Sequence, residues 1–146
     1  MRACDCESTL ATRGPLGERR ACPVCGLLCE PVAWRTVAAL AVGPIPPRQS
    51  YWLCRDPECE LVYFGASGVR VSLHDIRVRP GFKSGGDLLC YCFLFRRTQL
   101  AMATAIPLAD RIAALVKDSG CACEVRNPSG KCCLPEVRNL ARELAP

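Results

Sequence analysis

The chain has 146 residues, half of them apolar, and a formal net charge of +5 that is carried by 16 arginines and only 3 lysines. The basic residues are scattered, which argues against a nucleic-acid-binding surface, and no apolar run approaches the ~20 residues of a membrane helix. The length suits one domain, or two very small units that share a core and need metal for stability.

In chain order, residues 1–20 predict a flexible tail, because they are polar and lack apolar periodicity. Residues 21–82 predict a small β-rich unit, since short β-prone segments are separated there by proline, glycine and aspartate. The predicted strands lie within residues 32–40, 51–53, 61–64 and 69–78.

Residues 83–146 predict a helical unit. Thr98 suits the N-cap of a short helix, and Pro107 suits the start of a second helix that ends before Gly120. A last helix is expected to begin at Pro135, where apolar residues recur at helical spacing. The expected fold class is therefore α+β, with a small β-rich half followed by a helical-hairpin half.

Thirteen cysteines are the most distinctive part of the composition. A secreted disulfide scaffold is the competing interpretation. Three features argue against it: the number is odd, no signal-peptide hydrophobic segment begins the sequence, and Cys-x-Cys and Cys-Cys pairs make poor disulfide frameworks. We therefore expect reduced, metal-bound cysteines in a cytoplasmic protein.

Two cysteine pairs in the β-rich half have the spacing of a zinc site. Cys22 and Cys25 stand two residues apart in a Cys-Pro-Val-Cys-Gly turn, and Cys54 and Cys59 have four residues between them. Four sulfur ligands leave no position for water, which predicts a structural rather than a catalytic zinc. Cys29 is a spare ligand, so a grouping of Cys25 with Cys29 stays open, as does a zinc ribbon that contacts nucleic acid.

A second group of cysteines flanks the predicted helical hairpin, which would return both of its ends to one place. The group consists of Cys90, Cys92, Cys123, Cys132 and Cys133. A [2Fe–2S] cluster takes four thiolates, two for each iron, although zinc would fit four of the same sulfurs. The loop of residues 127–131 is expected to direct its backbone N–H groups at cluster sulfides.

These motifs together resemble a known family. The order Cys54-x4-Cys59-Glu-Leu-Val-Tyr-Phe, then Cys-Tyr-Cys-Phe, then Cys123-x3-Asn-Pro-Ser-Gly-Lys-Cys-Cys133 is similar to the N-terminal domain of archaeal-type CopZ copper chaperones. The Cys-x-Cys motif before a helical hairpin also resembles bacterioferritin-associated ferredoxin. The resemblance implies a zinc ion, a [2Fe–2S] cluster and a part in metal handling, in which such a domain reduces Cu(II) to Cu(I).

Carried over residue by residue, the resemblance assigns both centres. Zinc goes to Cys22, Cys25, Cys54 and Cys59. The cluster goes to Cys90, Cys92, Cys123 and Cys133, with Cys132 as the alternate ligand because it is adjacent and would point away. Cys121 lies beside a matched position and could compete with Cys123. The family's copper-carrying domain, with a Met-x-Cys-x-x-Cys loop, is not found in this sequence.

The sequence thus predicts a soluble metal-homeostasis protein with a structural zinc and a redox-active [2Fe–2S] cluster, which assists reduction, binding or transfer of a thiophilic metal such as Cu(I) or Hg(II). Expected partners are a redox protein and a metal transporter or metallochaperone. The alternatives are a ferredoxin-type electron carrier or regulatory partner, and a zinc-only binding module. A third thiophilic site is conceivable at Cys4 and Cys6. His74 is the only histidine, and no catalytic triad is found, so a classical enzyme is not expected.

Overall fold

The computed structural model describes residues 17–101 and 107–144, and within them the chain forms a five-stranded sheet, a two-stranded ribbon and short helices. Every strand of the larger sheet pairs antiparallel with the next one along the chain. The strands are β1 (Arg20–Ala21), β2 (Leu28–Val32), β3 (Tyr51–Leu53), β4 (Leu61–Gly65) and β5 (Arg70–Ser72). The expected fold class, α+β, is confirmed.

Two of the predicted strand segments contain helix. Helix α1 (Trp34–Leu40) occupies a segment whose Val and Trp content favoured a strand. The strand prediction was wrong there because Val37 and Leu40 lie on one helical face and are buried against the sheet. A 3₁₀ turn (Leu73–Asp75) interrupts the other segment, and Ser72 and Asp75 form a capping box around it.

The helical half begins with a two-stranded ribbon, β6 (Leu88–Cys90) and β7 (Phe95–Arg96). Four helices follow: α2 (Arg97–Ala101), α3 (Leu108–Ser119), α4 (Cys123–Arg126) and α5 (Leu134–Leu144). The predicted signals at Pro107 and Gly120 are confirmed, since α3 lies between them and Gly120 has φ of +76°. The last helix begins one residue before the predicted Pro135. The sequence analysis did not predict the single-turn helix α4.

The two halves are joined by hydrogen bonds as well as by packing. Helix α1 packs on α4, where the Thr36 hydroxyl donates to the carbonyl oxygen of Glu124 at 2.6 Å. The hydroxyl of Tyr63 donates to the carbonyl oxygen of Pro128, also at 2.6 Å. The division at residues 20 and 82 stays a prediction, and residues 1–16 lie outside the described residues. None of the helices within the described ranges has the length and apolar character needed to cross a membrane.

Candidate metal centres

The first cysteine group lies at one end of the five-stranded sheet. Cys22 and Cys25 occupy the turn between β1 and β2, Cys54 directly follows β3, and Cys59 lies shortly before β4. The four sulfur atoms all lie within 4.8 Å of one another. Antiparallel pairing of successive strands therefore brings two distant sequence pairs to one place.

The spacing of the sulfurs matches a single tetrahedral ion. Cys22 Sγ lies 3.9 Å from Cys59 Sγ, and Cys25 Sγ lies 3.6 Å from Cys54 Sγ. A zinc ion with Zn–S bonds of ~2.3 Å would hold its sulfurs about 3.8 Å apart. Three of the four side chains are buried and Cys25 is exposed. The group is thus a compact four-cysteine candidate site for one metal ion, close to the surface.

The turn that carries the first two cysteines favours the thiolate form of Cys22. Gly26 has φ of +80°, which allows its N–H to donate to the carbonyl oxygen of Cys22 at 2.9 Å. The N–H of Val24 donates to the Cys22 sulfur at 3.4 Å. Burial raises the pKa of Cys22, but backbone hydrogen bonds from Cys25 and Val24 outweigh it and lower the pKa to about 7.

Cys29 lies beside this group without joining it. Its side chain is only 1% exposed, and its thiol donates to the carbonyl oxygen of Leu27 at 3.2 Å. Burial raises the pKa of Cys29 to about 11, which keeps the thiol protonated. Trp52 and Phe64 belong to the same buried apolar group as Cys29, and their rings stack with centroids 5.4 Å apart. Cys29 therefore belongs to the apolar support of the site, and Cys25 is paired with Cys54 instead.

The second cysteine group lies where the ribbon meets helices α4 and α5. Cys90 ends β6, Cys92 lies in the following turn, Cys123 begins α4, and Cys132 and Cys133 immediately precede α5. The sulfurs of Cys92 and Cys123 are 3.7 Å apart. The N–H of Ala122 donates to the Cys92 sulfur at 3.2 Å.

Cys132 and Cys133 differ in their surroundings. Both approach Cys123, whose thiol lowers the pKa of each. Cys133 also approaches Cys90, and these two residues share the buried core of the helical half. Cys132 is only partly buried. The thiols of Cys90, Cys133, Cys123 and Cys92 therefore follow one another as a chain of neighbours.

The backbone N–H groups of the loop between α4 and α5 do not point in the predicted direction. Its N–H groups were expected to face the cluster, but those of Ser129 and Gly130 donate to the side-chain and main-chain oxygens of Asn127, at 3.0 and 2.8 Å. The N–H of Lys131 donates to the Ser129 hydroxyl. The prediction was wrong because Asn127 closes the loop on itself. Ala122, on the preceding segment, is the donor to a thiol.

Four further residues complete the comparison with the sequence. Cys4 and Cys6 lie outside the described residues. His74 is exposed, as expected for a surface histidine. The sequence analysis missed Lys83, which lies 1% exposed next to the first cysteine group. Its segment, residues 81–87, is rich in glycine and serine, a composition typical of a flexible linker. No sequence signal there distinguishes a buried lysine from a solvated one.

Comparison with known proteins agrees with the first of these sites. Residues 19–77 match the model of the zinc binding domain family zf_CopZ. The X-ray structure of the Archaeoglobus fulgidus CopZ N-terminal domain has a similar fold, with a TM-score of 0.63 and 24% identity over 83% of this chain and 97% of that chain. No curated protein matches the chain. Residues 19–77 are therefore similar to the zf_CopZ zinc binding domain, and the fold is similar to that of the CopZ N-terminal domain.

Proposed function

We propose that the protein takes part in metal homeostasis by combining a structural zinc with a redox-active [2Fe–2S] cluster. In this proposal Cys22, Cys25, Cys54 and Cys59 bind the zinc. The cluster ligands are Cys90, Cys92, Cys123 and Cys133. The redox centre assists the reduction, binding or transfer of a thiophilic metal such as copper.

The observation that supports two different centres is the contrast between the two cysteine groups. Of the residues that the structure describes, only the first group brings three or more ligand atoms within 4.8 Å of one another. That compactness suits one tetrahedral ion. The second group has five thiols: Cys123 approaches Cys92, at 3.7 Å between the sulfurs, and also Cys132 and Cys133, while Cys133 approaches Cys90. A cluster with two irons needs two thiolates at each end, and a group of five thiols spread over three chain segments supplies enough donors for both irons.

The surroundings of the second group also suit an electron-transfer centre. When bound, a [2Fe–2S] cluster supplies one-electron chemistry. Cys90, Cys123 and Cys133 are buried, which excludes water, whereas Cys92 is partly exposed. The Ala122 N–H that donates to Cys92 would stabilise negative charge at its sulfur. Arg126 reaches the carbonyl oxygen of Cys92 and adds positive charge at this exposed edge.

The proposal of copper as the substrate rests on the similarity to CopZ. This role requires two kinds of partner: a redox protein, and a metal transporter or metallochaperone. An electron carrier without a second metal is the alternative. One observation favours the electron carrier: among the described residues, every free cysteine except Cys29 belongs to one of the two groups. No additional pair of free thiols is therefore described that would carry a cargo metal.

Anaerobic purification followed by iron, sulfide and zinc analysis tests the proposed centres. We expect about two irons and two sulfides for each zinc, and an S = 1/2 signal in electron paramagnetic resonance after reduction. Zinc without sulfide would refute the cluster. The reduced protein would then be mixed with Cu(II) and a Cu(I)-specific chelator. One Cu(I) should form for each cluster oxidised, and a cluster that cycles without producing Cu(I) would favour the electron carrier.

A further inference from the structure

The side chain of Lys83 is almost completely buried, with 1% of its surface exposed. Its ammonium nitrogen donates to the carbonyl oxygens of Asp56, Cys59 and Leu61, each at 2.8 Å. An ammonium group has three N–H donors, so these bonds use all of them. Two acceptors lie on the loop between Cys54 and Cys59, and the third begins the next strand.

The backbone around Lys83 is folded tightly against the same loop. The N–H of Ser84 donates to the carbonyl oxygen of Pro57 at 2.9 Å. A Cβ atom on Gly81 would lie 1.9 Å from the carbonyl oxygen of Leu88, and one on Gly86 would lie 2.1 Å from that of Pro80. Glycine is therefore required at both ends of the turn. This glycine-rich segment is thus a compact turn that holds the lysine in place.

Lys83 has no carboxylate partner among the ion pairs of the described residues. Burying an ammonium group is strongly unfavourable unless dipoles or opposite charges compensate it. Three carbonyl dipoles supply part of the compensation. The neighbouring cysteine group would add to it on binding zinc, because four thiolates and one Zn²⁺ carry a net charge of −2.

We propose that Lys83 is a positioning residue for the first metal centre: its ammonium fixes the loop that carries Cys54 and Cys59 and balances the charge of the metal-bound thiolates. This inference rests on the proposed zinc site and adds to it a residue that binds no metal itself. Loss of an outer partner of this kind typically weakens metal binding about 10- to 100-fold.

The test compares Lys83→Met with Lys117→Met, which makes the same change of charge at an exposed position on α3. Zinc affinity is measured by competition with a chromogenic chelator. We expect Lys83→Met to weaken zinc binding about 10- to 100-fold, and Lys117→Met to leave it unchanged. Unchanged affinity in Lys83→Met would overturn the inference.

Thermal unfolding of the zinc-loaded and the zinc-free protein distinguishes two roles of Lys83: balancing the charge of the metal site, and packing alone. A positioning role predicts that Lys83→Met destabilises the zinc-loaded form more than the zinc-free form. Equal destabilisation of both forms would refute it. If Lys83→Met does not fold, Lys83→Gln keeps two donors without the charge and should still bind zinc more weakly than the wild type. A wild-type protein that binds no zinc would instead refute the proposed zinc site.

Discussion

Tyr63 on strand β4 and Pro128 in the loop before α5 are joined by a buried hydrogen bond of 2.6 Å between the tyrosine hydroxyl and the proline carbonyl oxygen. Tyr63 is fully buried. The bond connects the sheet of the first cysteine group with the loop that leads to Cys132 and Cys133. It is therefore a direct structural link between the two candidate centres.

Tyr63→Phe should destabilise the protein by about 1–3 kcal/mol, because it leaves a buried carbonyl oxygen without its donor. We also expect faster loss of the visible colour of the proposed cluster, since the loop before Cys132 loses its hydrogen bond to Tyr63. Tyr51→Phe is the matched control, because its hydroxyl bonds to Pro46 within the β-rich half. Urea unfolding and the rate of bleaching under air measure the two effects. Equal bleaching of both variants would contradict the proposed link.

The roles of Cys25 and Cys29 can be separated by the same substitution at each. Cys25→Ser should remove most of the zinc and lower the unfolding temperature, because binding at a structural zinc site contributes directly to folding free energy. Cys29→Ser should retain zinc, since its thiol faces the carbonyl oxygen of Leu27. Zinc analysis after gel filtration distinguishes them. Zinc lost from Cys29→Ser and kept by Cys25→Ser would require a different ligand set.

Cys132 and Cys133 are adjacent but should differ in their effect on iron. Cys133→Ser is expected to reduce the iron and sulfide content strongly while zinc stays near one per chain, because Cys133 is buried beside Cys90. Cys132→Ser is expected to retain the cluster. Visible absorption and metal analysis of anaerobic samples decide the matter. If Cys132→Ser alone loses the colour, Cys132 is the ligand.

Gly130 should be intolerant of a side chain. It has φ of +72°, and a Cβ atom there would lie 2.6 Å from the Thr36 hydroxyl. Gly130→Ala should cost about 1–3 kcal/mol from backbone strain, with a further loss as α1 and the loop are pushed apart. Gly68→Ala is the control, because Gly68 also has positive φ but no atom within 4 Å. Equal free energies of unfolding for the two variants would show that the contact with Thr36 contributes nothing.

Local signals in the sequence were sufficient for much of the helical half and for the grouping of thiols. Pro107 and Gly120 delimit α3, because proline stands at the N-cap with its φ already fixed and glycine adopts the positive φ that follows the last turn. The pairs Cys22/Cys25 and Cys54/Cys59 were identified as one group from spacing, and the structure brings their sulfurs together.

Features that depend on distant contacts could not be predicted in this way. The segment of α1 has strand-favouring residues, and its helix is decided by packing on the sheet and on α4. Lys83 becomes recognisable only when the three carbonyl oxygens around it are known. The hydrogen bonding within residues 127–130 depends on the Asn127 side chain, which spacing arguments did not consider.

The long separation between Tyr63 and Pro128 has a consequence for the order of assembly during synthesis. The bond spans 65 residues, and that of Thr36 with Glu124 spans 88. All four cysteines of the first group leave the ribosome before either acceptor has been made. Because domains form from the N-terminal side as the chain grows, zinc can secure the sheet while both hydroxyl groups still face water. In the proposed protein with two centres, iron would therefore bind after zinc, once the contacts between the two halves have formed.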